Sequence, residues 1–356
     1  MKKRIENLDL IRAVAILLVI LCHSIEAIYS MGLIEWESLS IKSQFFRMTF
    51  FTLSRIGVPL FLFLSGCLLL NRNYENEKDV KNFYLKNFLN LFICVEIWNI
   101  LYTIFLLIFP VRSWSIKEGV ESLFFLKQVN LPNMWYMPMI LGLYLFIPVL
   151  ATVVKKFNFK YILLLMIPSI FIFFVLPYIN KLTDIFYGIK INSILNLSFS
   201  GGIYGIYLIL GFLIYNQKIL KKISNKILIL LLFVSFITTC IYQIILFKNK
   251  VNYNLWYDFV GILACSIVLF ELLSRIKLNL TNKTKALITL ISRISLAIFF
   301  IHIIIIKVLT YYFNFYIINK PLTVLLLCSI TFILSCIIIL IFQKCPFIKK
   351  RIFMIK

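Results

Sequence analysis

This sequence has little charge for its length. Asp, Glu, Lys and Arg make up only 14% of its 356 residues, against about 25% in a soluble domain. Hydrophobic residues reach 62% and the mean hydropathy is +0.98. So little polar side chain cannot cover a globule, so the solvent for most of this chain is lipid. Acidic residues are scarcer still, 14 against 37 Lys+Arg, which leaves a formal net charge of +23. A soluble nucleic-acid-binding protein gathers such an excess on one face or tail. Here the cations fall in short clusters between apolar runs, the pattern of loops held in the cytoplasm. Nucleic acid is therefore excluded as a partner. CxxC spacing is also missing: the eight cysteines, at 22, 67, 94, 240, 265, 328, 336 and 345, lie mostly inside apolar runs. They read as small lipid-buried hydrophobes, with neither a disulfide scaffold nor a metal site.

What is present is a series of apolar runs near the ~20 residues needed to cross a bilayer. Ten can be drawn, at 8–29, 48–70, 88–109, 134–154, 160–178, 198–216, 226–247, 255–273, 287–311 and 321–342. Met1-Lys2-Lys3-Arg4 before the first run resembles a signal peptide, but Arg12 interrupts a long run and no small-x-small site follows, so it reads as an uncleaved anchor. The N-terminus, 71–87, 155–160, 217–226, 274–286 and the C-terminal tail together hold 23 Lys+Arg. The opposite loops hold far fewer, and carry Glu35, Glu37, Glu118, Glu121 and Asp184. The expectation is an all-α integral membrane protein of about ten transmembrane helices, with both termini cytoplasmic and one transmembrane domain over 1–356. The longest loop, 110–133, contains Trp114 and leads to Trp135-Tyr136, and is expected to cap the outer interface. Any chemistry then takes place within the membrane or at its edge.

Ionisable residues inside spans are expensive, and each is a functional hypothesis. They are Arg12, His23, Glu26, Arg55, Glu96, Asp258, Glu271, Arg293, His302 and Lys307. Asp258 and Glu271 lie near span ends, and Lys307 can snorkel outward. Arg12 and His23 stand apart. Eleven residues turn a helix by about 1100°, roughly 20° past three full turns, so they share a face ~16 Å apart. Asp9 precedes Arg12 by three residues and Glu26 follows His23 by three, which extends one polar seam along the helix. His302, the only other histidine, lies about fifteen residues into the ninth run, as His23 does in the first. Both runs point outward, so the two imidazoles are expected at one depth, ~22 Å from the cytoplasmic side. A lone intramembrane histidine can simply bond a neighbouring helix; the matched pair with Arg12 favours a site.

Pro59 and the Ser65-Gly66 pair can open the hydrogen bonding of the second span, which lipid tolerates only where the backbone is buried or lines a cavity. Gly201-x-x-x-Gly205 in the sixth run is expected to mark a close helix contact.

These stretches resemble the membrane acyltransferase-3 family. Asn7-Leu8-Asp9-Leu10-Ile11-Arg12 with His23-Ser24 is similar to its opening Arg-x10-His signature. Ser54-Arg55-Ile56-Gly57-Val58-Pro59-Leu60-Phe61 with Ser65-Gly66 resembles its second span. Trp135-Tyr136 with Gly142-Leu143-Tyr144 and Pro148, then Tyr204-Gly205-Ile206-Tyr207 with Leu210-Gly211, then Ser292-Arg293-Ile294-Ser295 with Ile301-His302, follow in family order. The subgroup it looks most like is the stand-alone O-acetyltransferases of the enterobacterial-common-antigen type. Two departures stand out. Lys86-Asn87-Phe88-Leu89-Asn90 replaces the family's Arg-x-x-Arg, leaving Lys86, with Arg72 and Lys81 nearby, as candidate donor-phosphate contacts; Asn133 stands where relatives often carry His.

The resemblance implies acetyl-CoA, or another acyl-CoA, as cytosolic donor, and a hydroxyl of a glycan or lipid-linked saccharide as acceptor, in the plasma (inner) membrane of a bacterium. In that reading His23 is the general base and Glu26 orients it. Arg12, Arg55, Arg72 and Lys86 bind the donor, and Trp135, Tyr136, Asn133 and His302 contact the acceptor. A polytopic glycan or lipid exporter without acyl-transfer chemistry remains the alternative, because ten spans and a polar seam suit transport too. A structural component of an envelope-synthesis complex is a third reading, for which intramembrane charge would be unnecessary.

Overall fold

A computed structural model describes residues 6–29, 31–109, 113–189, 202–252, 254–277, 279–313 and 319–355. Among these residues the secondary structure is helical, without strands. Ten principal helices correspond to the ten apolar runs: α1 Glu6–Ile28, α2 Ile41–Leu69, α3 Glu77–Ile108, α4 Tyr136–Lys156, α5 Phe159–Tyr187, α6 Gly202–Tyr215, α7 Asn225–Lys248, α8 Val260–Arg275, α9 Asn282–Tyr312 and α10 Lys320–Phe342. Eight are long and apolar enough to cross a membrane. The other two are short: α6 has 14 residues and α8 has 16, about 21 and 24 Å of helix against a hydrocarbon core of ~30 Å. The protein is an all-α integral membrane protein.

Helix starts follow local chemistry. Ser40, Ser224 and Thr281 cap α2, α7 and α9 by accepting from the backbone three residues on. The segment 71–87, expected as a loop, is helical from Glu77, because the Asn76 side chain accepts from Asp79 N at 2.9 Å and Glu77 and Asp79 occupy the first turn. In the loop before α4, Ser115 and Glu118 close a capping box that starts a short helix, Ile116–Leu123. Lys127 and the Ser115 backbone both bond the Glu118 carboxylate and hold its pKa below the ordinary value.

Helix α2 consists of two halves, Ile41–Ser54 and Gly57–Leu69, which meet at Arg55-Ile56. Pro59 explains the break: it has no N–H for the carbonyl of Arg55, so the i→i−4 ladder is interrupted there. Hydrogen bonding resumes one residue later, with Leu60 N donating to Ile56 O at 3.1 Å.

α1 is the hub. It packs against both halves of α2 and against α8, α9 and α10, and 78% of its apolar window is buried. The corresponding share is 22% for α5 and 28% for α7 and α10, which are therefore peripheral and present most of their surface to lipid. The tightest approach joins α2 and α6. A Cβ on Gly66 would lie 1.8 Å from Leu208 O, and one on Gly211 would lie 2.3 Å from Phe63 O. Only a residue without a Cβ lets two backbones come this close. A close contact was also expected at Gly201 and Gly205, of which Gly201 lies outside the described residues; Gly66 and Gly211 each face the backbone of the opposite helix.

Candidate active site

The seam on α1 has the period expected of a helix, and its two ends serve different groups. At the Glu26 end, His23 Nδ1 and Glu26 Oε2 lie 2.8 Å apart. The three-residue spacing places both side chains on one face. The other carboxylate oxygen, Oε1, accepts from Arg55 Nη2 at 2.9 Å. A carboxylate can only accept, so His23 Nδ1 is the donor; in the neutral imidazole this leaves the lone pair on Nε2. His302 reaches the same place from α9: the two imidazole centroids are 5.3 Å apart, with planes inclined at 34°. The matched depth read from the sequence corresponds to a real contact. His302 is fully buried, its Nδ1 lies 3.0 Å from Ile298 O, and its Nε2 has no hydrogen-bond partner.

Arg55 belongs to this cluster. Grouped by sequence with the donor contacts, it is instead 2% exposed beside Glu26, far along α1 from Arg12. Its guanidinium lies over Phe51 at 4.5 Å, Trp256 at 4.8 Å and Tyr257 at 5.5 Å, and Nη1 donates to Tyr257 OH at 3.4 Å. This aromatic cage lets a cation remain inside the bundle. The break at Pro59 is what delivers it, because Arg55 occupies the junction of the two halves of α2.

Trp135 joins the cage from the loop before α4, with ring centroids 5.1 Å from Trp256, 5.3 Å from Tyr257 and 5.5 Å from Tyr204. Trp256 and Tyr257 were not singled out by sequence. The only signal was an aromatic pair at the very start of the eighth apolar run, where interfacial aromatics are common.

At the Asp9 end, Arg12 Nη1 donates to Ser292 Oγ at 2.9 Å and approaches Asp9 Oδ1 at 3.4 Å, while Ser292 Oγ donates to Asp9 Oδ1 at 2.6 Å. Arg12 is part of the wall of a cavity of about 150 Å³, together with Ser65, Tyr136, Tyr144, Ser295 and Phe299. Phe299 bounds it toward the histidines, its ring 5.4 Å from Tyr136 and 5.9 Å from His302.

The other expected site residues lie elsewhere. Asn133 Nδ2 donates to Tyr102 OH at 3.1 Å and to Phe299 O at 3.3 Å, so it ties the loop to α3 and α9. Arg72 donates to Asn87 Oδ1 at 3.2 Å and lines a separate cavity of about 640 Å³, with Asn71, Asn73, Asp79 and Asn216. Lys86 is exposed and is not among the residues lining that cavity. The structure thus brings together His23, Glu26, Arg55 and His302, attaches Trp135 to them through aromatic rings, and places Arg12 and Tyr136 at the adjoining cavity.

The acyltransferase-domain family model matches residues 5–340. The match covers nearly the whole chain, and every residue of the site falls within it. No curated protein matches, and no solved structure matches. The chain belongs to the acyltransferase-domain family and is a membrane acyltransferase.

Proposed function

We propose that this membrane acyltransferase moves an acyl group, acetyl in the first instance, from cytosolic acyl-CoA to a hydroxyl of a cell-envelope glycan or lipid-linked saccharide. In this reading it is a stand-alone O-acetyltransferase of the enterobacterial-common-antigen type in a bacterial plasma membrane. The observation that carries the reading is the His23–Glu26–Arg55 chain beside His302: an imidazole whose Nδ1 is held by a carboxylate at 2.8 Å, with Nε2 as the basic atom.

The chemistry follows from that tautomer. The acceptor O–H gives its proton to His23 Nε2 as its oxygen bonds to the thioester carbon. Glu26 stabilises the imidazolium that forms, and Arg55 holds Glu26 in place. The C–S bond breaks, and the leaving thiolate takes the proton back from Nε2. Atoms and charge balance without a further reactant.

The donor side rests on charge and space. Loop charge favours both termini, and with them the Asp9 end of α1, on the cytoplasmic side. Arg12 there offers a cation and a planar fork to an anionic donor group. The cavity beside it, with Ser65, Tyr136, Tyr144 and Ser295 among its lining residues, suits a narrow amide-bearing pantetheine arm. Arg72, lining the larger cavity, suits a phosphate of the donor. Trp135, in the aromatic cluster beside Arg55, suits contact with a sugar ring.

The test supplies radiolabelled acetyl-CoA to membranes containing the protein and measures label in envelope carbohydrate. A general base contributes about 10²–10⁴-fold, so His23→Ala is expected to lower transfer by at least the lower figure at equal expression. Carbohydrate labelling that is unaffected by His23→Ala would remove the base assignment. A wild-type protein that incorporates no acetyl label would favour the exporter.

A further inference from the structure

Two buried polar atoms of the cluster have no hydrogen-bond partner, Arg55 Nε and His302 Nε2, and only the second can accept a proton from a ligand. His302 Nε2 is buried without a hydrogen-bond partner. Its role is defined by the other nitrogen. Nδ1 lies 3.0 Å from the carbonyl of Ile298, one turn earlier on α9, and a carbonyl only accepts. The proton is therefore on Nδ1 and Nε2 is an acceptor lacking a donor. His23 is in the same state: Glu26 takes its Nδ1–H, leaving Nε2 as an acceptor. Two basic nitrogens thus belong to rings only 5.3 Å apart. A single hydroxyl proton satisfies one of them. The other remains an orphaned buried acceptor, which native proteins seldom leave unfilled.

None of the described protein groups donates to His302 Nε2, and a bound substrate can. Phe299 stands between His302 and the Arg12 cavity, 5.9 Å from the imidazole, so its ring screens His302 from the donor side. His23 and Glu26 retain slight exposure, 8% for His23 and 20% for the Glu26 side chain, so the approach is along α1 at that end. Resting on the glycan-acyltransfer reading above, we infer that the acceptor carries two hydrogen-bond donors on adjacent carbons of a sugar ring. The reacting hydroxyl is taken by His23 Nε2, and a neighbouring O–H or N–H is taken by His302 Nε2. Such neighbours lie about one hydrogen-bond length apart, ~2.8 Å, which suits two imidazoles in ring-to-ring contact. His302 then selects which hydroxyl reacts, because only one with a neighbouring donor satisfies both nitrogens.

The experiment has two arms, both on the full-length protein in membranes supplied with labelled acetyl-CoA. In the first, acylated saccharide is released from the envelope and the acylated carbon is located by NMR. The expected position adjoins a carbon bearing a free hydroxyl or amino or amide N–H. An acyl group on an isolated hydroxyl, such as an exocyclic one whose neighbouring carbon carries only the ring oxygen, overturns the inference. The second compares His302→Phe, which keeps a ring but removes the acceptor, with His302→Gln, which restores an acceptor oxygen near the ε position. Transfer to carbohydrate is expected to fall about tenfold or more in His302→Phe, with hydrolysis of acetyl-CoA to free acetate retained, and to stay within about threefold in His302→Gln. Unchanged transfer in His302→Phe, or equal loss of transfer and hydrolysis in both variants, overturns it. Wild-type label that never reaches carbohydrate sinks the underlying reading and this inference together, and is distinguishable from label on an isolated hydroxyl, which sinks only the inference.

Discussion

Arg55 donates to Glu26 across 2.9 Å, from the break in α2 to the Glu26 end of the seam on α1. Each residue would be a liability in lipid without the other. The pair leaves the second oxygen of Glu26 to His23, so an ion pair inside the bundle fixes the orientation of an imidazole.

Arg55→Ala should therefore fail on two counts. Removing one partner of a buried pair typically costs about 3–5 kcal/mol, and the orienting carboxylate is released. A marked drop in unfolding temperature in detergent is expected, with acyl transfer lost. Arg55→Lys keeps the charge but not the fork that reaches both Glu26 and Tyr257. It is expected to fold and to transfer at about a tenth of the rate or less. Wild-type rates in the lysine variant would show that the bidentate geometry is dispensable.

Glu26→Gln separates charge from shape. An amide can donate to His23 Nδ1 and so favour the tautomer with its proton on Nε2, where no base remains. Transfer is expected to fall by about 10²-fold or more, with a lower unfolding temperature as well because Arg55 loses its counter-charge. A smaller penalty than that of Glu26→Ala would argue against control of the tautomer.

Arg12 is held by Ser292, 2.9 Å away, which in turn bonds Asp9. Arg12→Lys should bind coenzyme A more weakly than wild type, because an ammonium lacks the planar fork. Ser292→Ala should weaken binding less, because Arg12 keeps its guanidinium and loses only the 2.9 Å contact that positions it. Calorimetric titration of purified protein with coenzyme A checks both. Equal affinity in all three proteins would confine Arg12 to a structural role.

The contact between α2 and α6 makes a prediction that does not depend on chemistry. Gly66→Ala places a methyl 1.8 Å from Leu208 O, a rigid backbone atom. Overpacking usually costs about 1–3 kcal/mol, occasionally more, so lower expression and a lower unfolding temperature are expected. Gly142→Ala meets nothing within 4 Å and serves as the control. Equal stability of the two variants would show that α2 and α6 are not pressed together here.

Orientation can be tested with single cysteines. The loop charge asymmetry places Lys222 and Lys350 on the cytoplasmic side. In a Cys345→Ser background, which removes the exposed native thiol, Lys222→Cys and Lys350→Cys should resist an impermeant maleimide in intact cells. Efficient external labelling of either would reverse the donor side.

Much of the fold was legible in the apolar runs, because a span must satisfy its own backbone and therefore carries its length in its own residues. The face shared by Arg12 and His23 was legible too, as was the common depth of His23 and His302, since helix periodicity and rise need no tertiary information. The partners were not. Arg12 meets Ser292 across 280 residues of sequence, His23 meets His302 from another helix, and Arg55 finds Glu26 from a break whose direction Pro59 alone does not specify. Likewise the sequence held several glycines in apolar runs, but only the packing of α2 against α6 shows that Gly66 and Gly211 touch backbone. Periodicity determines which residues share a face of one helix; which helix that face meets depends on close packing among all ten, and that is settled only in the assembled bundle.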